Sequence, residues 1–89
     1  VIRLSIPPLT EERRKDLVRL VRKEAEDKRI GIRNIRREAN ETLRELEKDG
    51  SVSEDQRHRS EAEVQELTDK YIEKINELLE AKESEIMEV

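Results

Sequence analysis

The chain has 89 residues, 33% apolar and 47% charged, with a net charge of -4, one Tyr, no Trp or Phe and no Cys. Such a composition excludes a thick aromatic core, a disulfide scaffold and a cysteine zinc site, and suits long helices with a thin buried stripe and ionic outer faces. The apolar residues recur too regularly for a disordered acidic chain, and no run approaches membrane-spanning length or the pattern of a signal peptide.

Val1 to Ile6 alternates in the period-2 manner of a short strand, and a chain that opens so, without Met, is expected to be a segment of a longer protein. Pro7-Pro8 ends any strand and rules out helix immediately before it, which predicts a stiff hinge between the strand's parent domain and the helical region. Thr10 is a good N-cap, with Glu11 and Glu12 in the first turn at the positive end of the helix dipole.

From there Leu17, Val21, Ala25, Lys28, Ile32, Ile35, Ala39, Leu43 and Leu46 recur in steps of three and four, which predicts one helix over residues 10–48. At 1.5 Å per residue that helix is roughly 58 Å long. Gly31 interrupts it at a cost of about 1 kcal/mol relative to Ala, either as a tolerated surface residue or to let another helix or RNA come close. Arg29, Arg33 and Arg36 fall on one outer face in about two turns. Planar guanidinium forks so spaced on a rigid rod suit phosphate oxygens, the alternative being a solvated face of i,i+4 ion pairs.

Asp49-Gly50 predicts the stop and a turn over 49–52, and Ser53-Glu54-Asp55-Gln56 reads as a capping box that opens a second helix over 53–88. That helix carries Val64, Leu67, Tyr71, Ile75 and Leu78 on one stripe and Thr68, Ile72, Ile75, Leu79 and Ile86 on a flanking one. Two stripes require two neighbours, and the chain offers only one other helix. The expected fold is all-α, a long antiparallel hairpin whose further partner is a third helix or a second copy in a four-helix dimer.

Charge is graded along the chain. Residues 10–48 hold thirteen Lys/Arg against ten Asp/Glu, whereas residues 49–89 hold five against thirteen. The first helix is thus the anion-facing element, and contact with nucleic acid would have to be focal.

Catalysis has little support. His58, the single His, lies between Arg57 and Arg59 near the start of the second helix and reads as an exposed residue. Ser5, Ser51, Ser53, Ser60 and Ser84 have no candidate base nearby, and there is no glycine-rich phosphate loop. Carboxylate pairs such as Glu61/Glu66 and Glu73/Glu77 are expected on a solvated face, where nothing tunes a general acid. No metal site or cofactor is expected.

Several stretches together resemble the C-terminal half of bacterial ribosome recycling factor: Pro7-Pro8-Leu9-Thr10-Glu11-Glu12-Arg13-Arg14-Lys15-Asp16-Leu17, Arg33-Asn34-Ile35-Arg36-Arg37-Glu38-Ala39-Asn40, Ser53-Glu54-Asp55, Leu67-Thr68-Asp69-Lys70 and Ala81-Lys82-Glu83 with Glu85-Ile86-Met87. The resemblance covers essentially the whole chain, in order. It implies a three-helix bundle of which this chain holds helices two and three, preceded over residues 1–9 by the last strand of an inserted domain and the hinge at Pro7 and Pro8. The bundle's first helix lies outside the chain, in agreement with the unpaired stripes.

By the same resemblance, the parent protein docks on large-subunit ribosomal RNA after termination and, with elongation factor G and GTP, splits the ribosome in the cytoplasm. It is not an enzyme, since the GTPase belongs to the partner. The family's RNA-docking arginines fall on Arg14, Arg33 and Arg36 here, with Arg29 and Arg37 flanking them. Competing readings are a structural oligomerisation hairpin without an RNA role and the antiparallel arm of a tRNA synthetase.

Overall fold

The structure, a computed structural model, describes residues 10–88. The expected strand and the Pro7-Pro8 hinge lie outside those residues. Among the described residues there are two helices, α1 over Glu11–Lys48 and α2 over Glu54–Met87, antiparallel and joined by a five-residue turn. The all-α hairpin read from the sequence is the fold observed.

Both helix starts follow their capping sequences. Thr10 is extended and its hydroxyl accepts from the Arg13 N–H at 3.1 Å. Ser53 closes the capping box in both directions: its Oγ accepts from the Gln56 N–H at 3.1 Å, and Gln56 Oε1 accepts from the Ser53 N–H at 2.8 Å. The end of α1 is a Schellman turn, with the Gly50 N–H donating to the Glu47 carbonyl and the Ser51 N–H to the Leu46 carbonyl. Gly50 has φ +82°, the left-handed conformation in which a Cβ would be strained.

The interface between the helices is a thin seam. Val18, Ala25, Ile32, Ala39 and Leu46 recur every seven residues on α1 and are all buried or half-buried. Ile72, Leu79 and Ile86, with Thr68 and Ile75, answer them from α2. Only Ala25 and Thr68 are buried among the described residues, small side chains that let the backbones approach. The Thr68 hydroxyl satisfies itself by donating to the Val64 carbonyl one turn back at 2.7 Å.

The seam is rotated from the stripe expected on α1. Ile35 and Lys28 belong to that expected stripe, yet both are exposed, Ile35 by 66%. Val18, Arg29, Arg36 and Asn40 are half-buried instead. Periodicity identifies an apolar arc about two residues wide, but the side on which α2 lies decides which edge is covered.

Ile35 belongs to the arc's open edge. Together with Ile32, Ala39, Val64, Leu67 and Tyr71 it lines an apolar groove of about 330 Å³ along one side of the hairpin. The groove continues past Val21, Ala25, Lys28, Ile75 and Leu78. Of the two stripes on α2, the one through Thr68, Ile72, Leu79 and Ile86 meets α1. The one through Leu67, Tyr71 and Leu78 is left more than half exposed.

Candidate nucleic-acid interface

Beside the apolar groove, and sharing Arg36 with it, one side of the hairpin is built from arginines of α1 and polar residues of α2. Arg22, Arg29 and Arg36 repeat at the heptad interval beside the apolar seam, and Asp69, Asn76 and Glu83 repeat at the same interval on α2. Because the helices are antiparallel with one register, the first two pairs meet directly and the third is bridged by Gln65. Arg22 pairs with Glu83. Arg29 donates to Asn76 Oδ1 from Nε at 2.9 Å and from Nη2 at 2.6 Å. Arg36 donates to Gln65 Oε1 at 3.4 Å, while Gln65 holds Asp69 through its Nε2 at 2.9 Å.

This ladder sorts the five arginines expected on the RNA face. Arg29 is turned into the groove between the helices, its side chain only 18% exposed, rather than standing on an outer face. Its third donor, Nη1, meets Glu26 Oε2 at 3.0 Å, and the other oxygen of Glu26 pairs with Arg33 Nη1 at 3.5 Å. Arg33 and Arg37 are exposed and Arg36 half-buried. Arg14 stands fifteen residues before Arg29, or roughly 22 Å along the axis. Its Nη1 donates to the Met87 carbonyl at 3.3 Å, closing one end of the hairpin. Arg29, Arg33, Arg36 and Arg37 therefore share one stretch of surface, and Arg14 is separate from it.

Glu26, Asn76 and Gln65, which hold these arginines in place, do not stand out in the sequence. Asn76 has a signal in the matching heptad series, readable only once the register between the helices is known; Glu26 and Gln65 lie outside both series. Arg44 is a further cation that periodicity does not single out. It lines, with Arg36, Arg37, Asn40 and Glu41, a polar hollow of about 230 Å³ on this side.

Near the turn a second ionic group ties the helices together. Arg57 pairs with Glu47 of α1 and with Glu61 of α2, the latter at 3.1 Å, and Arg44 approaches Glu61 at 3.8 Å. Glu61 first and Glu47 after it hold the Arg57 proton more tightly than in water, against the opposing effect of desolvation. Glu83 does the same for Arg22. Glu61 is thus half-buried and partnered, a correction to its expected place on a solvated face. His58 is exposed, with Nε2 3.6 Å from Glu54. Among the described residues no cluster of three or more His, Asp or Glu could hold a metal ion, and no helix is long and apolar enough to cross a membrane.

The arrangement can present fixed guanidinium groups to an anionic surface. The family model for ribosome recycling factor matches residues 1–87. Ribosome-recycling factors from Symbiobacterium thermophilum, Halalkalibacterium halodurans and Carboxydothermus hydrogenoformans are 62%, 58% and 57% identical over all 89 residues. The chain spans about half the length of these curated relatives, 48% of each. With the match running through both helices and the turn between them, the chain belongs to the ribosome recycling factor family.

Proposed function

We propose that this chain is the RNA-docking hairpin of a factor that recycles the ribosome after translation termination in the cytoplasm. In this reading Arg33 and Arg36, with Arg37 and Arg29 beside them and Arg14 at the far end, bind the backbone of large-subunit ribosomal RNA. The observation that carries it is the basic side of α1 in a chain of net charge -4, with its arginines already fixed by Glu26, Asn76 and Gln65. Side chains ordered before contact lose less rotamer freedom on binding, and phosphate contacts fix position without reading sequence. The chain acts without catalytic residues or a cofactor of its own. Elongation factor G supplies GTP hydrolysis to dissociate the post-termination ribosome.

The apolar groove is assigned to the first helix of a three-helix bundle, residues 10–89 forming the rest of that domain. Residues 1–9 would be the last strand of an inserted domain and, at Pro7 and Pro8, the hinge on which it is pushed. A second reading, an oligomerisation hairpin with no RNA role, is favoured by the same groove, because Ile35, Leu67, Tyr71 and Leu78 stand exposed.

Co-sedimentation with large ribosomal subunits over a salt series separates the two. Binding that weakens with salt and is lost in Arg33→Glu/Arg36→Glu supports docking. Equal binding by both chains would make the arginine side a solvated face, whereas no binding by the folded unaltered chain alongside concentration-dependent self-association favours the oligomerisation module.

A further inference from the structure

We propose that the hollow lined by Arg36, Arg37 and Arg44 is a subsite for a phosphodiester of the RNA backbone, with Arg44 as its third guanidinium. The inference rests on the docking reading above and adds a residue and a ligand group to it. Arg36 and Arg37 stand eight and seven residues before Arg44, and Asn40 lies midway, so all four project from the same side of α1 in about two turns. Roughly 12 Å of helix separates the outer members, a span that two arginine side chains leaning inward can close around one small anion.

The charges in this hollow are available. Arg36 is tethered by a neutral carboxamide, that of Gln65, so its orientation is fixed while its charge is not cancelled. Arg37 has no ion pair within the described residues. Arg44 is 70% exposed, and its neighbour Glu61, 3.8 Å away, is already held by Arg57 at 3.1 Å. Asn40 Oδ1 is an acceptor shut off from solvent, so the guanidinium groups alone would hold the anion. Against three cations the lining holds one carboxylate, Glu41.

The hollow is open and polar, with room for a phosphate group and no apolar floor on which a base or a hydrophobic side chain could stack. That chemistry fits a phosphodiester, which offers two non-bridging oxygens to guanidinium forks. It does not provide for base readout, so contact there would position the hairpin rather than select a sequence.

The test measures affinity for large ribosomal subunits across a salt series, with hydroxyl-radical footprinting of the subunit RNA, for Arg44→Gln, Arg44→Lys, Glu41→Gln and the control Arg19→Gln. Arg19 is an exposed arginine of the same helix paired only with Asp16, at 3.7 Å, among the described residues. We expect Arg44→Gln to weaken binding several-fold, to lower the slope of log affinity on log salt by about one, and to remove a local backbone protection. Arg44→Lys should restore the slope, and Glu41→Gln should tighten binding, which no structural role for either residue would produce. Arg44→Gln behaving like Arg19→Gln overturns the subsite, as does weakened binding with an unchanged RNA footprint, which would place Arg44 against a ribosomal protein. If Arg33→Glu/Arg36→Glu binds normally, the docking reading itself fails and the subsite with it.

Discussion

Replacing Arg29 tests whether the polar ladder holds the hairpin in register or merely decorates it. The side chain is 18% exposed and donates twice to Asn76 Oδ1 and once to Glu26. Hydrogen bonds from a charged donor contribute about 1.5–3 kcal/mol net, and the lower end is appropriate where both donors share one neutral oxygen. The Glu26 pair lies within one helix beside a half-exposed carboxylate and adds only a few tenths, roughly 0.3 kcal/mol. Arg29→Ala should therefore destabilise by about 2 kcal/mol, a fall in Tm on the order of 10 °C for a domain of this size.

Circular dichroism with urea and heat, at fixed protein concentration so that any self-association is constant, gives both numbers. A double-mutant cycle with Asn76→Ala should show coupling of about 1 kcal/mol, and Arg37→Ala, on the exposed side, should change stability by less than about 0.5 kcal/mol. Loss of less than about 0.5 kcal/mol in Arg29→Ala, additive with Asn76→Ala, would refute the view that this contact sets the register.

Ser53→Ala removes one half of the capping box and should cost about 1 kcal/mol in the same urea titration. A Cβ on Gly31 would meet nothing within 4 Å, so Gly31→Ala should stabilise the isolated chain by up to about 1 kcal/mol; a loss instead would mean that something approaches α1 closely there. Asp49 is held below the usual carboxylate range by the Ser51 hydroxyl and then by the Ser51 N–H, which reaches its Oδ1 at 2.9 Å. Its ionised form is thus favoured in the folded chain. That contribution is complete above the ordinary aspartate value and is lost as pH falls through the lower folded one, below about pH 4. Stability followed by circular dichroism from about pH 6 to about pH 2 should fall less steeply at the acid end in Asp49→Asn.

Much of the hairpin is determined by local chemistry that the sequence states outright. Thr10 and Ser53 carry hydroxyls that satisfy orphan N–H groups, Gly50 accepts the positive φ that a Schellman turn requires, and steps of three and four between apolar residues allow nothing but helix. These are interactions within one turn, so no knowledge of the partner helix is needed to read them. The surplus stripe on α2 is equally legible, because counting apolar faces against available helices needs only periodicity.

Which side of each helix meets the other was decided by tertiary structure. Ile35 and Arg36 are neighbours in sequence, and either could face α2 on periodicity alone. The register of the antiparallel pair covers Arg36 and leaves Ile35 in the open groove. The same register turns Arg29 from an outward cation into a crosslink to Asn76, forty-seven residues away, and brings Glu61 under Arg57. Long polar side chains have several partners within reach from any one backbone position, and only the packed arrangement selects among them.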